Sequence, residues 1–182
     1  MNFVFIDRDG VINKDRDDYV KSLDELEIFP YVGKAIKLLN DNGIDVIIIS
    51  NQQAVAKGLM SEETLNQINQ KIIDEIAKYD AKIKDFRYCT HLKEDNCNCR
   101  KPKSGLLFNA AKDYYIDLDD TFMIGDREID MVAGKNAGAR LILVLSGFVS
   151  AEEASKIEPQ PEYIAENLLD AANYIIKHKE IY

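Results

Sequence analysis

Five short runs of strand-forming residues, at positions 2–6, 45–49, 85–89, 121–124 and 141–145, are spaced so that a helix fits between most neighbours. The second reads Asp-Val-Ile-Ile-Ile and the last Leu-Ile-Leu-Val-Leu. Nearly continuous apolar runs of this length suit strands buried on both faces. Between them, positions 32–39 carry apolar residues at helical spacing and Gly43 follows as a stop. Ser61 is placed to cap a helix running to about position 78, with Glu62 and Glu63 in the first turn, where carboxylates suit the helix dipole. Ser104 opens a helix through Tyr114. Positions 129–137 form another, stopped by Gly138, and positions 168–177 a last one beyond the loop of Pro159 and Pro161. Strands alternating with helices predict an α/β fold, a doubly wound parallel sheet covered on both faces.

The chain has 182 residues, which predicts a single domain over positions 1–182. The stretch between Asp9 and Ser50 is too short for a large cap domain. With 46% hydrophobic and 30% charged residues, a packed core is expected and disorder is not. The net charge of −9 argues against a nucleic-acid partner, which needs a basic face. No apolar run reaches the roughly 18 residues that span a bilayer. The start, Met1-Asn2-Phe3-Val4-Phe5-Ile6-Asp7, lacks the basic region of a secretory signal, so a cytoplasmic location without membrane is the expectation.

Polar residues with chemical potential sit just after the expected strands: Asp7, Ser50 and Asp126. In open parallel sheets the ligand crevice lies at the carboxyl ends of the strands. A carboxylate such as Asp7 attacks phosphorus when a cation neutralises the opposing charges. A second carboxylate, Asp9, can protonate a leaving oxygen and then take a proton from water. Taken singly, each of these is equally a solvated turn or a helix cap.

Together they resemble the four motifs of the haloacid dehalogenase superfamily, in order and across about positions 3–147. Asp7-Arg8-Asp9-Gly10-Val11 is similar to the first, with valine where threonine is usual. Ser50-Asn51-Gln52 is similar to the second, Arg100-Lys101-Pro102-Lys103 to the third, and Gly125-Asp126-Arg127-Glu128-Ile129-Asp130 to the fourth. The resemblance implies a Rossmann-like phosphatase with Asp7 as nucleophile and Asp9 as acid–base group. It implies that Ser50 and Lys101 hold the phosphoryl group, and that Mg²⁺ lies between Asp7, the Asp9 carbonyl and Asp126. For Asp130 both a place beside the metal and a solvent-facing one stay open.

Cys89-Thr90-His91 and Cys97-Asn98-Cys99 hold all three cysteines of the chain beside one of its two histidines. Three sulfurs and an imidazole suit a closed tetrahedral Zn²⁺ site, structural rather than catalytic. Free surface thiols are the plainer alternative. A zinc loop over positions 89–99 would order a polar segment and aim Arg100 and Lys101.

This loop is similar to that of the branch containing the histidinol-phosphate and heptose-bisphosphate phosphatases, whose members lack a cap domain. In that branch Asn51, Arg100 and Arg127 are implied to contact substrate. Positions 51–58 resemble the heptose-bisphosphate members. The five residues between His91 and Cys97 resemble the histidinol-phosphate members. The longer stretch around Ser50 outweighs the loop spacing, so a small phosphorylated sugar, D-glycero-D-manno-heptose 1,7-bisphosphate before histidinol phosphate, is the expected partner, and oligomeric state is left open. Positions 15–18 form an acidic run, either a sugar-binding loop or a solvated one. His178 is expected at the surface, and Tyr114, Tyr115 and Phe122 in packing roles. A polynucleotide 3′-phosphatase and a non-catalytic zinc-stabilised module are the competing readings.

Overall fold

The computed structural model describes residues 2–179. In chain order the elements are β1 (Phe3–Ile6), α1 (Val32–Asp41), β2 (Asp45–Asn51), α2 (Glu62–Ala77), β3 (Asp85–Cys89), α3 (Gly105–Tyr114), β4 (Phe122–Gly125), α4 (Glu128–Ala137), β5 (Arg140–Val144), α5 (Ala151–Ala154), β6 (Tyr163–Ala165) and α6 (Leu168–His178). A short 3₁₀ turn covers Lys93–Asp95. The sheet has the order β3-β2-β1-β4-β5-β6, and each pairing is parallel.

Alternate side chains of each strand serve opposite faces. Val4, Ile6, Val46, Ile48, Phe122 and Ile124 join Ile36, Leu39, Ile68, Ile72 and Ile175 in one core, so α1, α2 and α6 cover that face. Phe5, Ile47, Ile49 and Met123 join Leu106, Leu107 and Met131 in the other, under α3 and α4. Chain connections leave β1 in both directions, to β2 and β3 on one side and to β4, β5 and β6 on the other. The crevice where direction reverses lies at the carboxyl end of β1. Register sets what meets there. Ile6 lies opposite Ile48 and Ile124, and Asp7 N–H donates to the Ile124 carbonyl at 2.9 Å. The residues just after three strands therefore emerge side by side. Residues 7–31 replace a cap domain with an irregular connection pinned by isolated bridges Asp9–Asn13 and Asn13–Ile28.

Four details depart from expectation. Strand β2 continues through Asn51, so Ser50 lies inside the strand rather than after it; its partner β3 extends the ladder to Asn51–Cys89. Ser104 precedes α3 but makes no cap; its hydroxyl donates instead to the Ala133 carbonyl at 2.7 Å, tying α3 to α4. Strand β6 and helix α5 are too short to leave a periodic signal, yet β6 closes one edge of the sheet. Tyr115 packs on nothing and is 95% exposed, whereas Phe122 is buried as expected. Ser61 does cap α2, accepting from Thr64 N–H at 3.0 Å. His178 is exposed and stacks on Tyr174. Among the described residues no helix is long and apolar enough to cross a membrane.

Candidate active site

Asp7 is delivered by β1 and is nearly buried. Its Oδ1 accepts from its neighbour's backbone, Arg8 N–H, at 2.7 Å and from Lys101 Nζ at 2.8 Å. Both donors fall on one oxygen. Among the described residues no donor meets Oδ2, on a side chain that lines a cleft of about 260 Å³. Burial raises the Asp7 carboxyl to about 7; Lys101 opposes the rise, and the Asp130 charge adds to it.

Lys101 is buried and its ammonium reaches three acceptors: Asp7 Oδ1, Asp130 Oδ1 at 2.6 Å and the Ile49 carbonyl at 2.8 Å. Burial works against its charge, but Asp130 and Asp7 hold its pKa above the ordinary lysine value. Asp130 is fully buried against this ammonium, so the solvent-facing alternative for it is excluded. It reaches the site because α4 begins right after the Gly125-Asp126 turn, and its Oδ2 accepts from Arg127 N–H at 3.2 Å.

Asp126 is fully buried too, and neither of its oxygens has a hydrogen-bond partner in the protein. Gly10, at φ +87°, packs against that carboxylate so closely that any Cβ there would strike it. Burial, with the charges of Asp130 and Asp7, raises Asp126 to about 8. Carboxylate oxygens of Asp7, Asp126 and Asp130 lie within 4.8 Å of one another. Three carboxyl groups share this space with the Lys101 ammonium, and Arg127 Nε comes only to 3.8 Å of Asp126 Oδ2, so negative charge is in excess once all three ionise. Orphaned oxygens and that charge imbalance fit a divalent cation with a preference for oxygen, as Mg²⁺ has.

Asp9 turns the other way. Its Oδ1 accepts from Arg8 Nη2 at 2.8 Å, Arg8 Nε at 3.2 Å and Asn13 Nδ2 at 2.9 Å. Its Oδ2 accepts from Gln52 Nε2 at 2.7 Å and Arg8 Nη2 at 3.0 Å. Burial opposes ionisation, but the Arg8 charge and the hydrogen bonds from Asn13, Arg8 and Gln52 hold Asp9 below the usual carboxylate range. Arg8 is itself buried, a costly placement that only this pairing offsets. The partners Arg8, Asn13 and Gln52 were not among the expected site residues. Their closeness to the Asp7-Asp9 and Ser50-Asn51 motifs was the available signal.

Ser50 is buried beside Gln52. Asn51 lines the cleft, but its amide is engaged elsewhere than expected. Nδ2 donates to the Lys101 carbonyl and Oδ1 accepts from Lys101 N–H, both at 3.0 Å. Arg100 lines the cleft and donates weakly to the His91 carbonyl. Arg127 pairs with Asp15 Oδ2 at 2.5 Å and lies 4.7 Å over the Phe148 ring. Asp15 thus belongs to the cleft wall rather than to a solvated run.

The Cys89–Cys99 segment brings its three thiols and its imidazole together. Cys89 Sγ lies 3.6 Å from Cys97 Sγ and 3.3 Å from Cys99 Sγ, and the latter two are 3.4 Å apart. His91 Nδ1 is 3.4 Å from Cys89 and 3.3 Å from Cys99. Zn–S bonds of about 2.3 Å set tetrahedral edges of roughly 3.8 Å, so the four ligand atoms fit that ion with slight expansion. Burial and neighbouring thiols push Cys89 up to about 12. Cys97 falls to about 7 despite desolvation, drawn down by the Arg100 N–H and by its sulfur neighbours. A bound cation would deprotonate all three thiols alike.

Residues 98–171 match the HAD-hydrolase-like family model. The chain is 33% identical to the D-glycero-beta-D-manno-heptose-1,7-bisphosphate 7-phosphatase of Haemophilus ducreyi, over 94% of this chain and 97% of that one. It is 32% identical to the Neisseria meningitidis protein of the same name, over 97% and 96%. The crystal structure of D,D-heptose 1,7-bisphosphate phosphatase from B. bronchiseptica, complexed with magnesium and phosphate, superposes with a TM-score of 0.88 at 32% identity, covering 97% of this chain and 99% of that one. About a third of the residues are identical over nearly full length, within one fold. The chain therefore belongs to the haloacid dehalogenase superfamily and is a phosphatase of the branch that these relatives define.

Proposed function

We propose that this phosphatase, one domain with the 89–99 loop as its zinc-holding insert, hydrolyses the 7-phosphate of D-glycero-β-D-manno-heptose 1,7-bisphosphate. The relatives' shared name supports that substrate over histidinol phosphate, which only the short His91–Cys97 spacing favours. The observation that carries the mechanism is the asymmetry of Asp7, which lines the cleft: Oδ1 is pinned by two donors, and Oδ2 meets none among the described residues.

Asp7 Oδ2 forms the bond to phosphorus as the sugar–oxygen bond to phosphorus breaks, and Asp9 supplies the proton to the departing oxygen. In the second half, Asp9 takes a proton from water while that water's oxygen attacks phosphorus and releases Asp7. The ionised, fully bonded Asp9 suits this second half; for the first, one of its donors must turn away. Ser50 and Lys101 hold the phosphoryl oxygens, where positioning and charge carry most of the rate. Mg²⁺, held by Asp7, the Asp9 carbonyl and Asp126, supplies neutralisation of the phosphoryl charge when bound. Cys89, His91, Cys97 and Cys99 would hold a Zn²⁺ ion, and such an ion would order the loop that carries Lys101. Arg100 and Arg127 bind the remainder of the substrate.

Phosphate release from heptose 1,7-bisphosphate and from histidinol phosphate, side by side with Mg²⁺, tests the reading. A preference for the heptose ester is expected, with no turnover in Asp7→Asn at unchanged zinc content. Preference for histidinol phosphate refutes the substrate, and activity in Asp7→Asn refutes the nucleophile.

A further inference from the structure

Gln52 stands between two groups that reach the cleft from different strands. Its Nε2 is 2.7 Å from Asp9 Oδ2 and 2.8 Å from Ser50 Oγ. The side chain is buried, and its backbone is fixed by a 2.7 Å hydrogen bond from Gln52 N–H to the Cys89 carbonyl, where the β2–β3 ladder ends. One amide nitrogen lies within hydrogen-bond distance of both Asp9 Oδ2 and Ser50 Oγ, so Gln52 presents nitrogen, not oxygen, to Asp9. That nitrogen carries two hydrogens. One is spent on Asp9; the other points at Ser50 Oγ, which accepts it.

The direction of that second bond has a consequence for Ser50. A hydroxyl has one proton to give. With Oγ accepting from Gln52, the proton stays on the far side of the oxygen, and no acceptor among the described residues meets it. It is left for a phosphoryl oxygen arriving beside Asp7. On its other flank Asp9 is set by Arg8 and Asn13, both from its own loop. Gln52 is thus the tie by which a carboxylate of the β1 loop and a hydroxyl of β2 hold a fixed relation.

We propose that Gln52 is a positioning residue of this phosphatase, whose one amide nitrogen fixes Asp9 and turns the Ser50 hydroxyl toward the phosphoryl group. The inference rests on the reading of Asp9 and Ser50 given above and deepens it. Its chemistry consists of two hydrogen bonds; no bond is made or broken at Gln52 itself.

Two variants separate it from simple packing. Gln52→Met keeps length and bulk and removes both donors. Gln52→Glu keeps the shape but presents an acceptor, which draws the Ser50 proton to itself and repels Asp9. Steady-state rates on heptose 1,7-bisphosphate with Mg²⁺, and inhibition by inorganic phosphate, are measured for both. Gln52→Met is expected to lower kcat about 10- to 100-fold with KM within about threefold, the pattern of lost orientation rather than lost binding. Gln52→Glu is expected to raise the phosphate inhibition constant about tenfold or more. The decisive readout is a cycle with Ser50→Ala. A residue acting through Ser50 costs less once Ser50 is gone, so the double variant should retain at least about fivefold more activity than the product of the two single losses predicts. Melting temperature and zinc content near wild type show that the fold is intact. Wild-type kcat in Gln52→Met, or losses that multiply in the double variant, overturn the proposal. A wild-type chain that hydrolyses no phosphate ester overturns the functional reading itself, a result distinct from active enzymes that do not differ.

Discussion

Replacing Asp126 by asparagine should make the metal-free protein more stable while removing its response to Mg²⁺. Asp126 rises from 3.8 to about 8 because it is buried beside Asp7 and Asp130 with no protein donor on either oxygen. A carboxyl whose folded value lies above its unfolded value stabilises the fold below the unfolded pKa, and that contribution is lost as pH climbs through the folded one. At about 1.4 kcal/mol per pH unit, the loss between pH 4 and pH 8 is about 5 kcal/mol. Asp7 and Asp130 cause part of the rise and share in the loss, so about half, ~3 kcal/mol, is the portion a single neutral replacement recovers. For a chain of this length ~3 kcal/mol is about 6–12 °C in melting temperature. The assay is thermal unfolding across pH 5–9 after dialysis against Mg²⁺-free buffer. A chelator is avoided because it would strip the cysteine loop as well. Asp126→Asn should gain on wild type steadily with rising pH, the two converging toward pH 5. Added Mg²⁺ should raise the wild-type melting temperature, most above pH 7, and leave the variant unmoved. A variant no more stable than wild type at pH 8.5, or one that Mg²⁺ still stabilises, would refute the claim that Asp126 is a buried charge awaiting a cation.

Two shorter tests address the parts that hold Lys101. Asn51→Ala removes two hydrogen bonds to the Lys101 backbone, together about 2 kcal/mol, so kcat should fall up to about 30-fold with KM little changed; a raised KM at normal kcat would return Asn51 to a substrate-binding role. Cys97→Ser should abolish zinc binding by elemental analysis and lower kcat about 10- to 100-fold, as changes in the shell that supports a site commonly do. Full activity without zinc would separate the loop from the chemistry.

The sheet and the ends of its first and fourth strands were legible because buried parallel strands read as apolar runs, and Asp7 and Asp126 break those runs abruptly. The cysteine loop was legible because sulfur and imidazole in one short span have few other uses. What the sequence hid depends on partners far along the chain. Nothing local announces that the Asn51 amide, at the cleft wall, meets a backbone 50 residues away. Gln52 meets Asp9 across 43 residues. Asp130 stayed undecided since helical spacing says which face a residue takes only once the neighbour is known. Ser104 carried every mark of an N-cap and spends its hydroxyl on α4 instead. Strand β6 has three residues, fewer than periodicity can register.

These hidden contacts share one target. Lys101 lies in a segment between β3 and α3 whose only regular element is a three-residue turn, so no strand or helix fixes it directly. Yet its ammonium must sit within hydrogen-bond reach of Asp7, because without a positive partner the buried cluster of carboxylates is unfavourable by several kcal/mol. Three devices from different parts of the chain substitute for regular structure. Cys89, at the end of β3, roots the cysteine–histidine loop in the sheet while Cys97 and Cys99 hold its return. Asn51, at the end of β2, grips the Lys101 backbone from below. Asp130 and the Ile49 carbonyl take the ammonium hydrogens that Asp7 does not. Each is anchored on the rigid sheet or a helix packed against it, so the lysine inherits their precision. Within the described residues the segment 7–31 between β1 and α1 is an irregular connection, not a folded cap that could press such a group into place. The Lys101 cation must therefore be held before substrate arrives, and the cysteine–histidine loop together with Asn51 is the means this sequence uses to hold it.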